Sequence, residues 1–165
     1  MHAFWSDSAI SEIKKRSPDG FLEETDLEEI ADGATDFAKA VKLINSGAEV
    51  DLPQNVFFRD KNKNKRTQMR LAWWLGEEAT WREAALSVPD EYLDMLPTEK
   101  LSPAILRQYV YPTTSKPVFV GHYKMSREPK IRGFNAICLD YPKTPCVYRW
   151  QGEQKLKPEN LFCAS

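Results

Sequence analysis

The chain has two histidines in 165 residues, His2 and His122. Neutral imidazole is a common ligand for Zn, Mn, Fe and Ni, so where the chain spends so scarce a residue is informative. His122 follows Val118-Phe119-Val120-Gly121, a short apolar run that reads as a buried strand. It therefore stands where strand passes into loop. Gly121 permits a sharp turn and close approach of a ligand, and ligands gather at strand ends in α/β sheets. His2 precedes Ala3-Phe4-Trp5, which reads as the end of a buried strand with a helix following from Ser6 to Ser8. Both histidines thus fall at strand-to-loop junctions, a setting that suits a satisfied polar residue as well as a metal ligand. Two imidazoles are fewer than a complete centre requires, since a catalytic zinc takes three protein ligands and a two-metal site more.

Arginines supply a second chemistry. Arg70 alternates with Met69 and Leu71 close to Trp73 and Trp74, and Arg82 follows Trp81. Either guanidinium could hold phosphate oxygens in a bidentate pair, or stack on its aromatic neighbours. Tyr123, next to His122, could point into the same site. The cluster Arg59, Lys61, Lys63, Lys65, Arg66 and Arg70 could cradle a phosphate or a nucleic acid, although a solvated hairpin tip has the same composition. Cys138, Cys146 and Cys163 lie among apolar neighbours and are expected to be buried, inert thiols. Their odd number and the lack of a CxxC spacing offer neither a disulfide framework nor a zinc knuckle. No glycine-rich phosphate loop, GxSxG elbow or HExxH motif occurs.

The elements that must position these residues follow from periodicity and punctuation. Residues 7–16 read as a short helix with Asp7 or Ser8 as N-cap, and Ser17-Pro18-Asp19-Gly20 as a turn. Residues 21–31 are acidic and anchored by Phe21, Leu22, Leu27 and Ile30, with Asp26 opening a short helix. Phe37, Ala40, Val41 and Ile44 recur at helical spacing over 35–46, capped by Thr35 or Asp36 and ended by Gly47. Residues 48–52 are extended, and 55–60 and 66–74 read as strands around a polar hairpin loop. Thr80 to Leu86 supplies a helical turn, and Ser102-Pro103 opens a helix with Pro at its first position. Strands are expected at 116–122, 135–141 and 146–150. An α/β (α+β) domain with a mostly antiparallel second half follows.

Bulk properties bound the rest. One domain is natural at 165 residues and 19.0 kDa. Leu, Ile, Val and Phe make up roughly 22% of the chain, just above the ~20% below which disorder is the default, and 5 Trp and 6 Tyr add to the core. With 23 basic and 24 acidic residues, the net charge of -1 argues against general nucleic-acid or membrane-surface binding. The sequence has no run of about 18 apolar residues of the kind that spans a membrane, and Met1-His2-Ala3-Phe4-Trp5-Ser6-Asp7 carries no basic flank and apolar stretch of signal-peptide type. A cytoplasmic setting is expected.

Several stretches, taken together and in order, resemble one family. They are His2-Ala3-Phe4-Trp5, Leu52-Pro53 through Phe58-x-Asp60-Lys61, and Arg66 to Trp73-Trp74. They continue with Pro117-Val-Phe-Val-Gly-His122-Tyr123, Asn135-Ala-Ile-Cys138-Leu-Asp140-Tyr141 and Tyr148-Arg-Trp150-x-Gly152-Glu153. They resemble the C-terminal half of bacterial calcineurin-like metallophosphoesterases, the group that includes diadenosine tetraphosphatase-like and serine/threonine-phosphatase-like proteins. The resemblance implies that His2 and His122 are metal ligands, and the reading of the residues leaves Arg70, Arg82 and Tyr123 as candidates for contact with substrate. It implies the C-terminal part of a two-sheet sandwich flanked by helices. It further implies two divalent ions (Mn, Fe, Zn or Ni) per complete site, acting on phosphate esters, dinucleoside polyphosphates or a phosphoprotein. The family's Asp-x-His, Gly-Asp-x-x-Asp and Gly-Asn-His motifs do not occur here, Ser6 stands where Asp is common, and Lys124 where an aromatic often follows. The expectation is therefore a single but incomplete domain over 1–165, starting at the His-Ala-x-Trp strand. Alone it would bind metal weakly and turn over negligibly. It would need a partner polypeptide for its missing half, or else serve as a non-catalytic binding module.

Overall fold

The computed structural model describes residues 2–112, 114–126, 128–131 and 135–164. Helix α1 (Asp7–Arg16) starts at Ser6, whose hydroxyl accepts from the Ala9 amide at 3.3 Å. The cap falls one residue before Asp7 because Ser6 is the last extended residue, with φ −146°. In α2 (Glu24–Asp32), Asp26 sits inside the first turn rather than opening the helix. Its carboxylate accepts from the Glu23 amide and from Arg16 Nε at 3.0 Å, which ties α2 to the end of α1. Helix α3 (Asp36–Ser46) is capped by Thr35, buries Phe37, Ala40 and Val41, and packs against α1.

The chain then alternates short strands with turns. Strand β1 (Glu49–Asp51) pairs antiparallel with β4 (Gln68–Arg70), which places Val50 opposite Met69 on the buried side and Glu49 opposite Arg70 on the other. Between them β2 (Phe58–Arg59) and β3 (Lys65–Arg66) form a hairpin. Its tip is held by Asp60, which accepts from the Asn62 and Asn64 amides and from Arg66 Nε, each at 2.9 Å. The expected strand 66–74 ends early, and Trp73–Leu75 form a 3-10 turn. A strand would send Trp73 and Trp74 to opposite faces; the turn buries both.

Helix α4 (Trp81–Ala84) is closed by a reciprocal Thr80–Glu83 cap, and α5 (Pro103–Tyr109) by Ser102 with Pro103 at its first position. Strands β5 (Val118–Val120) and β6 (Ala136–Cys138) are parallel, whereas β7 (Cys146–Tyr148) and β8 (Leu161–Cys163) are antiparallel. The architecture is mixed α and β. The expectation of a mostly antiparallel second half holds for one of its two ladders. Among the described residues the strands form four separate two-stranded ladders rather than two broad sheets. Strand β5 illustrates why. Pro117 precedes it, and the left-handed backbone of His122 (φ 74°) follows it, so only three residues remain for pairing.

The core is aromatic and centres on Trp73, which is fully buried. Phe4, Tyr111 and Trp74 meet its ring edge-on at centroid distances of 5.0, 5.7 and 5.7 Å. Among the described residues no helix is long and apolar enough to cross a membrane.

Candidate functional site

The segment before α1 is not a ladder strand. The Ala3 and Phe4 amides both donate to the Ile44 carbonyl at 3.2 Å, and the His2 carbonyl accepts from the Gly121 amide at 2.9 Å. The first residues thus lie as an extended bridge between the C-terminal turn of α3 and the end of β5. Buried Ala3 and Phe4 hold it there, and a fully buried Phe contributes about 1.5–3 kcal/mol relative to exposure. The bridge delivers His2 to His122. His122 Nδ1 lies 3.0 Å from His2 Nε2, and the rings meet edge-on at 4.7 Å. The pairing of the two histidines across 120 positions is the central feature of the site.

The two rings differ in environment. His2 is exposed, whereas His122 is half-buried. His122 Nε2 is sealed from solvent and has no hydrogen-bond partner among the described residues. Only one proton can lie between Nδ1 of His122 and Nε2 of His2. If His122 donates it, its Nε2 is a bare buried lone pair; if His2 donates it, the His122 Nε2 proton is stranded. Either way a buried polar atom goes unsatisfied, at a cost of about 1–3 kcal/mol. Burial lowers the His122 pKa from its ordinary value; the Arg70 cation and His2 lower it further, against a pull upward from Asp140. The ring is thus held neutral, the form that ligates metal.

A scaffold of bonds fixes this arrangement. The Tyr123 hydroxyl donates to the Ala3 carbonyl at 2.8 Å, and Trp73 Nε1 donates to the same carbonyl at 3.0 Å. Burial pushes the Tyr123 phenol up to about 12. Tyr123, which could point into the same site as His122, lies against its ring at 5.5 Å and turns its hydroxyl inward, where it clamps the N-terminal bridge behind the histidines. Asp140 accepts from the Lys124 amide at 2.8 Å and tethers the loop beyond His122. Gly47 completes the scaffold, since a Cβ there would meet Tyr123 Cζ at 3.1 Å. Sequence reasoning gave Gly47 only a helix-ending role and did not single out Asp140 as a site residue. Their approach to the loop spans elements far apart in the chain.

The arginines separate. Arg70, on β4, places Nε 3.7 Å from Glu49, and its charge acts on His122. It borders an open groove of about 1040 Å³ that Lys61, Lys65 and Arg66 also line. Arg82 is engaged elsewhere: its guanidinium donates to the Leu96 carbonyl and to both the side chain and carbonyl of Asp94, at 2.8–3.0 Å. Its three bonds fasten α4 to the 3-10 turn over Asp90–Met95.

The cysteines also divide. Cys138 is buried, as expected, but Cys146 is half-buried and Cys163 exposed. A scan of protein-family models, a search of curated proteins and a search of solved structures each gave no match to this chain.

Proposed function

We propose that His2 and His122 are two of the metal ligands of a calcineurin-like phosphoesterase centre that hydrolyses phosphate esters or dinucleoside polyphosphates. The observation that carries this reading is the convergence of the two imidazoles, which brings His122 Nδ1 to 3.0 Å from His2 Nε2. The donor set suits a divalent cation. With metal–nitrogen bonds of about 2.0–2.1 Å, two tetrahedral ligand nitrogens stand about 3.3 Å apart, close to the 3.0 Å between the rings. A bound metal would act there as a Lewis acid and lower the pKa of a coordinated water. The chain's own residues then have separate tasks. Tyr123 and Trp73 hold the bridge that carries His2, Asp140 holds the loop beyond His122, and Arg70 supplies a cation for a phosphate oxygen.

Among the described residues no group of three or more His, Cys, Asp or Glu side chains gathers to hold a metal. This favours a second reading, in which the chain is one half of a split phosphoesterase whose carboxylates come from a partner polypeptide, or a non-catalytic binding module.

The test is hydrolysis of p-nitrophenyl phosphate during titration with Mn²⁺, for the chain alone and with a separate polypeptide carrying Asp-x-His, Gly-Asp-x-x-Asp and Gly-Asn-His motifs. Turnover is expected only in the mixture. His2→Ala and His122→Ala should each reduce it at least about 100-fold, because even outer partners of metal ligands cost about 10–100-fold. Robust turnover by the chain alone would overturn the shared centre. Inactivity in both arms from a folded protein would leave the binding module.

A further inference from the structure

We propose that Cys146 and Cys163 form a reversible dithiol–disulfide pair, closed by an oxidised thiol of the glutathione class, which locks the hairpin of β7 and β8. The two residues are direct partners in the antiparallel register. The Ala164 amide donates to the Pro145 carbonyl and the Arg149 amide to the Asn160 carbonyl, both at 2.9 Å. Hydrogen-bonded pairs alternate along such a ladder, so Cys146 and Cys163 occupy a non-hydrogen-bonded pair, where opposite Cα atoms are only about 4.5 Å apart. That spacing falls within the disulfide range of about 4.4–6.8 Å. The sulfurs lie 2.9 Å apart, against a bond of about 2.03–2.05 Å. A small rotation of the side chains joins them, with no movement of the backbone.

Exposure orders the chemistry. Cys163 is exposed and meets the oxidant first, whereas Cys146 is half-buried and also donates to the Thr144 carbonyl at 2.9 Å. Burial, and then the bond to Cys163 and its charge, push the Cys146 thiol up to about 12. The Cys163 thiolate attacks one sulfur of oxidised glutathione and expels a glutathione thiolate. Cys163 is then uncharged, which eases loss of the Cys146 proton. The Cys146 thiolate attacks Cys163 Sγ and expels the second glutathione. Two protein thiols are oxidised, one glutathione disulfide is reduced, and the two protons pass to the released thiols. Cys138 takes no part, because it is buried on β6 and faces Val120 in the register rather than another cysteine.

The lock acts on a hairpin whose Val147, Trp150 and Phe162 side chains are exposed. Tyr148 meets Phe119 of β5 at 5.2 Å, which links the hairpin to the strand that ends at His122.

The experiment is incubation of the native chain in glutathione redox buffers, followed by denaturation, alkylation and intact-mass and peptide analysis. Oxidation should remove about 2 Da and leave one alkylatable thiol in place of three, with a Cys146–Cys163 peptide link that dithiothreitol reverses. Cys146→Ser should instead trap a glutathione adduct on Cys163, and Cys138→Ser should change nothing. In urea, where the ladder is lost, closure should slow at least about tenfold as the effective concentration falls. A stable glutathione adduct on the wild-type chain, links through Cys138 or between chains, or equal rates in urea would overturn the proposal.

Discussion

His122 combines two features that the sequence could not reveal together. Its backbone is left-handed, with φ 74°, and its imidazole is half-buried beside a second histidine. An L residue in that conformation costs about 1–2 kcal/mol, a strain that persists where the surroundings impose it. Glycine adopts it freely but loses more chain entropy on folding. His122→Gly should therefore be more stable than His122→Ala by roughly 0.5–1 kcal/mol in urea unfolding; equal midpoints would mean that the left-handed turn carries no strain. The imidazole makes its own prediction. Its folded pKa lies below the ordinary 6.5, so the unfolded chain binds more protons in the interval between. Its contribution is complete above pH 6.5 and is lost as the pH falls through the folded value. A stability profile of the wild type should slope downward below pH 6.5, and His122→Asn should flatten that slope; an NMR midpoint for His122 above 6.5 would contradict the assignment.

At the scale of elements, local rules worked where the determinants are local. The 35–46 helix, its Thr35 cap and the Ser102-Pro103 start follow from spacing and cap chemistry within a few residues. Gly47 was legible as a helix end. Its second role was not, because the partner is the Tyr123 ring, brought in by β5. With φ 84° and no room for a Cβ, Gly47 is restricted twice. Gly47→Ala should destabilise by about 2–4 kcal/mol, the sum of left-handed strain and overpacking. Tyr123→Phe removes the hydroxyl that crowds the site, so the double variant should cost less than the sum of the two single variants in a double-mutant cycle. Strict additivity would place the tyrosine away from the glycine. The reading of 66–74 as one strand failed for a related reason. The segment breaks at Thr67 into β3 and β4, which pair with different strands, and beyond Arg70 Trp73 and Trp74 both need the core, so tertiary burial overrode the local β preference of aromatic residues.

For the whole molecule, element types were easier to read than their partners. The β5–β6 pair is parallel, and Leu161–Cys163 form a strand by pairing with β7. The convergence of His2 with His122 is likewise a product of assembly, and one side chain does much of the assembling. Two-stranded ladders are marginal by themselves, so the four here depend on shared packing. Trp73 supplies it. Its ring contacts Phe4 and Tyr111, its carbonyl accepts from the Tyr111 amide at 3.3 Å, and its Nε1 donates to Ala3. Trp73→Phe keeps an aromatic filler and leaves the Tyr123 hydroxyl as donor to the Ala3 carbonyl, so loss of the indole bond should cost about 0.5–1.5 kcal/mol. The loss should not be uniform. The Gly121 amide, bonded to the His2 carbonyl, reports on the N-terminal bridge, whereas the Arg149 amide reports on the β7–β8 hairpin. Hydrogen exchange at Gly121 should accelerate in Trp73→Phe by more than at Arg149, because opening the bridge no longer breaks the indole bond. Equal acceleration at both amides would mean that the indole stabilises the fold globally and does not single out the segment that carries His2.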